Sequence, residues 1–581
     1  MKGGEALARA LVDAGVDLCL MNPGTSEMHF VAALDDVPAM RGVLALFEGV
    51  ATGAADGYGR MADRPAAVLL HLGPGLGNGL ANLHNARRAR TPVVNVVGDH
   101  ATSHKVHDAP LESDIETVAR NVSTHVARVA GAGELAAAAT AAVVAAHGPP
   151  GQVATLVVPA DATWDDVPDD HPGPRDAASR SRSATGAGAR GSGAGAGGGG
   201  RGGGADPAGT AAGGAAGVGP QGSAAPGTQG SWPGAVGPGG WHRPPLDGPE
   251  AVAAALRAGE PAALLVGGRA CRAGALHTAG RIAASTGARL LCETFPARLE
   301  RGAGRVPVER LAYLAELAAL QLDGLRHLVL VDARPPVSFF AYPGRASDLV
   351  PDGCRVHHLA SAAHTAGEVQ ALLDALAEQV GDAAPVLQDP GRPDPPSGPL
   401  TAQSVAQALG ALLPEDAVVS DEGNTSGLFI PGATAGAPPH DWLCLTGGAI
   451  GQGLPVALGA ALAEPRRRVV AIESEGSALY TPQAWWTMAR EGLDVTTVLL
   501  NNRAYSILGM ELGRVGAHGS GARARRMLEL DDPDLEPTAL ARGMGVPAVR
   551  VSTADELVVE LARSFATPGP TVVEAVIPPV V

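Results

Sequence analysis

Cysteine is scarce in this chain: five residues in 581, at positions 19, 271, 292, 354 and 444. Their number is odd and no two are spaced C-x-x-C, so neither a disulfide framework nor a zinc knuckle is expected, and they read as small apolar core residues. Positive charge is also in deficit, with 43 Lys and Arg against 59 Asp and Glu and a net charge of −16. An acidic surface with no compact basic patch repels phosphate backbones and anionic headgroups, so neither nucleic acid nor membrane is an expected partner. No stretch approaches the roughly 18 unbroken apolar residues of a spanning helix. The opening MKGGEALARALVDAG is patterned as an amphipathic helix carrying acids and not as a secretion signal, so a cytoplasmic protein is expected. The length exceeds what one hydrophobic core sustains, which implies several domains.

Composition divides the chain. Between Arg175 and Gly240, Gly, Ala, Pro and Ser displace large apolar residues, and 24 of the 60 residues from Ser181 to Gly240 are glycine. Such a segment buries too little apolar area to offset its chain entropy, so a disordered linker is expected over 169–245. A Pro-rich break at 386–397 reads as a stiffer linker. The rest alternates short β-branched runs with longer helical patterns. The strand candidates include 18–21, 66–72, 93–97, 153–159, 262–268, 327–333, 466–473, 495–500 and 571–577; 134–146 and 49–62 read as helices. Continuous apolar strands separated by helices describe buried parallel sheets. The expected fold is α/β, with three doubly wound parallel-sheet domains over 1–168, 246–385 and 398–581. In such sheets ligands gather beyond the carboxyl ends of the strands.

Several strand ends carry chemistry. The run ending at Glu473 continues as Ser474-Glu475-Gly476-Ser477; after a helix and strand spacer over 477–500 comes Asn501-Asn502-Arg503-Ala504. An acid at one strand end, a carboxamide at the next, a nearby carbonyl and a glycine suit a hard divalent cation that also binds phosphate oxygens. Upstream lie the Gly-rich Thr446–Ala463 and the strand-end Asp421-Glu422-Gly423-Asn424-Thr425. Near the start, Glu48 follows the apolar run 43–47 and opens a small-residue helix, a setting that suits proton exchange with a heterocyclic nitrogen. Asn22-Pro23-Gly24-Thr25-Ser26-Glu27 follows a short strand, and His71 closes another before Gly73–Gly79. A strand-end imidazole is a natural proton shuttle near neutral pH. The glycines of 73–79 imitate a dinucleotide fingerprint with the wrong spacing. His100, His104 and His107 lie in a polar loop, read as solvated in preference to metal-binding.

Taken in this order, the motifs resemble the thiamine-diphosphate-dependent enzymes, in the branch containing acetolactate synthase and benzoylformate decarboxylase. The resemblance implies that Glu475, the Asn502 side chain and the Ala504 carbonyl bind Mg²⁺, and that Gly476, Ser477, Asn424 and Thr425 meet the diphosphate. It implies that Ile450 forces the cofactor's two rings into their bent conformation, that the Gly448 carbonyl receives the aminopyrimidine, and that Glu48 exchanges a proton with that ring. Thr25 and His71 stand where benzoylformate decarboxylase has substrate-site residues. The family's Gly-Asp-Gly has become Ser474-Glu475-Gly476, and a carboxylate one methylene longer displaces its oxygen by about 1–1.5 Å unless the loop retracts. The decarboxylase's second histidine has no counterpart in 337–344.

The expected function is a decarboxylase or carboligase, a lyase or transferase acting on pyruvate or a similar 2-oxo acid. Its active sites would lie between the subunits of a homodimer or homotetramer. The alternative is a non-catalytic paralogue serving as a binding or regulatory subunit. The segment Leu264–Gly274 is placed to meet an FAD adenylate, and the sequence does not decide whether FAD binds.

Overall fold

The structure is a computed structural model and describes residues 1–168, 245–517 and 521–580. The expected Gly-rich linker therefore lies, apart from residue 245, outside the described residues. The remainder forms three sheets.

The first sheet is wholly parallel, in the spatial order β2 (Arg41–Leu44), β1 (Leu18–Met21), β3 (Ala66–Leu70), β4 (Val93–Asp99), β6 (Val153–Pro159), β5 (His125–Arg128). The second, also parallel, runs β10 (Glu309–Arg310), β8 (Arg289–Cys292), β7 (Ala262–Val266), β11 (His327–Val331), β12 (Arg355–Ala360). The third runs β17 (Ala548–Val551), β18 (Thr571–Val576), β16 (Val495–Asn501), β15 (Val469–Ser474), β13 (Val418–Glu422), β14 (His440–Cys444), β9 (Leu299–Arg301); only the edge strand β9 is antiparallel among its described pairings. Every residue of β3, β4, β6, β7, β11 and β16 is buried. Both faces are covered, which is why these strands read as unbroken apolar runs. The Pro-rich break at 386–397 has neither helix nor strand.

In each sheet the connections leave two adjacent strands in opposite directions, opening a crevice at their carboxyl ends. In the first sheet it lies between β1 and β3, in the second between β7 and β11, and in the third between β13 and β15. The segments after β1 and β3 hold Thr25 and His71; those after β13 and β15 hold Asn424 and Glu475.

The Gly73–Gly79 stretch, whose spacing does not match a dinucleotide fingerprint, is helical. It forms the first turns of α2 (Leu72–Ala89), which follows α1 (Glu48–Ala62) in the chain. Glycine is a poor helix former, but an added Cβ at Gly73 would overlap Ser113 Oγ and one at Gly79 would lie 2.8 Å from Thr52 Cγ2. Close packing overrides propensity here. His71 lies just past the end of β3, as the N-cap of α2.

Helix α1 packs directly on α3 (Gly453–Ala463) of the third sheet: an added Cβ at Gly57 would overlap the Val456 carbonyl, and one at Gly459 the Ala54 carbonyl. Beside this contact Arg60 and Asp56 form a buried ion pair at 2.6 Å, and Arg60 also donates to the Cys444 carbonyl at 2.7 Å and to Thr446 Oγ1 at 3.0 Å. A buried pair needs its remaining polar atoms satisfied, and these bonds across two sheets supply that. No described helix is long and apolar enough to cross a membrane.

Candidate active site

At the crevice of the third sheet, Glu475 is the first residue of the short helix α4 (Glu475–Ala478), and Asn502 and Ala504 follow β16. Glu475 Oε1 and Asn502 Oδ1 both accept from the Ala504 N–H, at 3.1 and 2.9 Å, so the two side-chain oxygens converge on one point. Glu475 is 1% exposed, and its Oε2 has no hydrogen-bond partner. Burial raises its carboxyl above the usual range, partly opposed by backbone N–H groups, including that of Ala504. A buried carboxylate oxygen without a donor, beside a carboxamide oxygen, fits a hard divalent cation.

Asn424, at φ +47°, donates from Nδ2 to Ser477 Oγ at 2.9 Å and to Ser474 Oγ at 3.3 Å, crossing from the β13 turn to the β15 turn. Ser474, which replaces a glycine of the resembled motif, donates to the Gly423 carbonyl at 3.1 Å. Thr425 is half-buried in the same turn. Ser426, which sequence reading passed over, is buried and accepts from Asn502 Nδ2 at 2.9 Å. The reading also missed a buried acid pair. Glu422 accepts from the N–H groups of Gly451 and Gly453 at 2.8 and 2.6 Å, and Glu473 lies against Gly453 with no donor to either oxygen. Burial pushes both carboxyls up, and the neighbouring Glu422 pushes Glu473 further. Glu473 stood in an apolar strand run, where only its polarity marked it.

The loop 446–452 carries Gly448 at φ +76° and the half-buried Ile450. An added Cβ at Gly448 would lie 2.7 Å from Phe339 Cζ, so the segment between β11 and β12 of the second sheet reaches this loop. Phe339 sits among Phe295, Tyr313 and Phe340, with ring centroids 5.0–5.9 Å away.

In the first sheet Glu48 is 6% exposed and its Oε2 accepts from Asn78 Nδ2 at 3.0 Å. Across the β1–β3 crevice, His71 Nδ1 lies 2.9 Å from Glu27 Oε2, which also accepts from the Gly24 N–H at 2.8 Å. Glu27 is buried and its carboxyl raised, first by burial, with His71 opposing. Thr25 is exposed on the same turn. In the sequence Glu27 is marked only as an acid three residues after Gly24, placed to accept from that residue's N–H. The rings of His100, His104 and His107 lie in sequence, tilted to one another at 5.2 and 5.7 Å, and no cluster of three or more His, Cys, Asp or Glu among the described residues is arranged to hold a metal.

The crevice of the second sheet, where the sequence left FAD undecided, holds an ion pair. Arg90 pairs with Asp332 Oδ1 and donates to the Asp332 carbonyl at 2.9 Å, and the Arg269 N–H donates to Asp332 Oδ2 at 2.8 Å. A Cβ at Gly267 would lie 2.5 Å from the Glu293 carboxyl carbon. Two carboxylates and a guanidinium thus lie at this strand-end turn.

Comparison with known proteins gives two family matches: "Thiamine pyrophosphate enzyme, N-terminal TPP binding domain" over residues 1–119, and "Thiamine pyrophosphate enzyme, C-terminal TPP binding domain" over 428–575. A Mycobacterium tuberculosis protein named "Putative acetolactate synthase large subunit IlvX" is 53% identical, the match covering 100% of both chains. Benzoylformate decarboxylase of Pseudomonas aeruginosa is 28% identical over 96% of each chain. Among solved structures, a Rhodococcus jostii thiamine diphosphate-dependent 4-hydroxybenzoylformate decarboxylase shares the fold with a TM-score of 0.77 at 20% identity, covering 100% of this chain and 99% of that one.

Proposed function

Since this chain belongs to the thiamine pyrophosphate enzyme family, we propose that it is a thiamine-diphosphate- and Mg²⁺-dependent decarboxylase or carboligase of a 2-oxo acid. The observation that carries the cofactor reading is the convergence of Glu475 and Asn502 on the Ala504 N–H, with Glu475 Oε2 left unpartnered. Those two side chains and the Ala504 carbonyl would hold Mg²⁺, and Gly476, Ser477, Asn424 and Thr425 would meet the diphosphate. The oxygen-only donor set supports that choice of ion.

When bound, thiamine diphosphate supplies a carbon centre that stores the electron pair left by departing CO₂. The chain's own residues do the rest. Glu48, buried at the start of α1 and steadied by Asn78, exchanges a proton with the aminopyrimidine. The Gly448 carbonyl would receive its amino group, and Ile450 would pack against the bound cofactor. His71 has its Nδ1–H directed to Glu27, which leaves Nε2 to give or take a proton at the reacting carbon. Thr25 faces substrate from the adjoining turn. In a homodimer or homotetramer, Glu48 of one subunit serves the diphosphate site of another. The domains of this reading are 1–168, 246–385 and 398–581, with β9 of the middle segment added to the edge of the third sheet.

Calorimetric titration of the protein with thiamine diphosphate, with and without Mg²⁺, tests this reading, followed by a screen of pyruvate and bulkier 2-oxo acids for CO₂ release. Tight, metal-dependent binding and CO₂ release are expected. Absence of binding with Mg²⁺, Mn²⁺ and Ca²⁺ would turn the reading to a non-catalytic paralogue.

A further inference from the structure

Helix α2 carries Asn78, Asn82 and Asn85 at positions i, i+4 and i+7, which share one helix face. Asn78 holds Glu48. The other two, with His84, grip the loop after β14. Asn85 makes a two-point contact with a single residue: its Nδ2 donates to the Ala449 carbonyl at 2.8 Å and its Oδ1 accepts from the Ala449 N–H at 3.2 Å. That pairing fixes which way the amide faces, because the flipped amide would set a donor on the N–H and an oxygen on the carbonyl.

His84 Nε2 lies 3.1 Å from the Gly447 carbonyl, so this nitrogen carries the proton, and burial lowers the ring's pKa and keeps it neutral. Asn82 Nδ2 donates to the Gly451 carbonyl at 3.2 Å and to the Gly49 carbonyl, next to Glu48, at 2.8 Å. The Thr446 hydroxyl completes the seam by donating to the Asn85 carbonyl at 2.9 Å.

Helix α2 therefore takes the carbonyls of residues 447, 449 and 451, every second one along the loop. No donor among the described residues reaches the carbonyl between the first two, that of Gly448. Asn82 and Asn85 are 3% and 0% exposed, so water cannot replace these bonds. The loop belongs to the third sheet and the helix to the first.

We propose that Asn85, assisted by His84 and Asn82, is a positioning residue that presents the Gly448 carbonyl to the aminopyrimidine of thiamine diphosphate. It acts through the loop and does not touch the cofactor. The inference rests on the functional reading above and assigns to α2 a part in cofactor binding within its own chain.

The test uses the full chain with saturating Mg²⁺. Wild type, Asn85→Ala, Asn85→Asp, His84→Gln and His84→Leu are titrated calorimetrically with thiamine diphosphate and with oxythiamine diphosphate. The latter carries an oxo group where the aminopyrimidine carries its amino group, and so cannot donate to Gly448. Near-ultraviolet circular dichroism of the bound cofactor and thermal unfolding of the free protein are recorded alongside.

Asn85→Ala and Asn85→Asp should weaken thiamine diphosphate binding at least tenfold and alter the cofactor's dichroism, while weakening the oxo analogue several-fold less. His84→Gln, which keeps an N–H donor, should bind within threefold of wild type, and His84→Leu should not. Equal losses for both ligands would mean that α2 merely glues two sheets together and would overturn the proposal. So would an Asn85→Ala protein that binds and absorbs like wild type. If Asn85→Ala does not unfold cooperatively, the half-buried His84 pair decides the question by the same criteria. Failure of the wild type itself to bind overturns the functional reading; wild-type binding with indifferent variants overturns this inference alone.

Discussion

His71 Nδ1 and Glu27 Oε2 lie 2.9 Å apart across the crevice between β1 and β3, and the carboxylate is anchored in turn by the Gly24 N–H at 2.8 Å. A carboxylate that accepts Nδ1–H fixes one imidazole tautomer and frees Nε2 for proton transfer. Histidine and acid thus act as one unit, though 44 positions separate them.

Replacing Glu27 should therefore damage turnover more than binding. Glu27→Leu, which removes the acceptor, should lower kcat by about 10²-fold, whereas Glu27→Gln, which keeps an amide oxygen for Nδ1–H, should lose about tenfold. Steady-state kinetics on the best 2-oxo acid would check this; equal kcat for Leu and Gln would remove Glu27 from the proton-transfer unit.

Glu48→Gln keeps an acceptor for Asn78 but cannot exchange a proton. Turnover should fall by at least about 10³-fold while thiamine diphosphate affinity changes by less than about fivefold, since general acid–base steps contribute roughly 10²–10⁴. Normal turnover would dismiss Glu48 as the activating acid.

The metal binding proposed at Glu475 needs it deprotonated, and its carboxyl is raised by burial. Protons therefore compete with the ion up to a higher pH than at an exposed glutamate, and Mg²⁺-dependent cofactor binding should weaken as pH falls from 8 toward 5. Glu475→Gln should lose the metal dependence and flatten that pH profile. Titration calorimetry at three pH values is the check, and an unchanged profile in the variant would refute the assignment.

Glu473 is fully buried and its carboxyl is held well above the ordinary range. In the unfolded chain it ionises near the usual value, so between the two values folding takes up a proton. Its contribution to stability is complete below the unfolded pKa and declines as pH rises, by up to about 1.4 kcal/mol per unit. Glu473→Gln removes this decline, so the variant's stability relative to wild type should improve from pH 5 to pH 8 in urea unfolding. A difference independent of pH would show that Glu473 is ionised in the fold.

Sequence patterning determined the three parallel sheets, because strands buried on both faces are written as apolar runs. It also marked the strand ends that carry Thr25, Glu48, His71, Asn424, Glu475 and Asn502, since parallel winding puts all carboxyl ends on one edge. Tertiary packing decided what no run or spacing encodes. Gly73 and Gly79 sit in a helix where Ser113 and Thr52 leave no room for a side chain. Glu27 met His71, and Ser426 met Asn502. Asn85 met Ala449, 364 positions away. These are pairings of single polar atoms between distant segments, set by how sheets and helices dock. Local propensity and hydrophobic period carry no record of them.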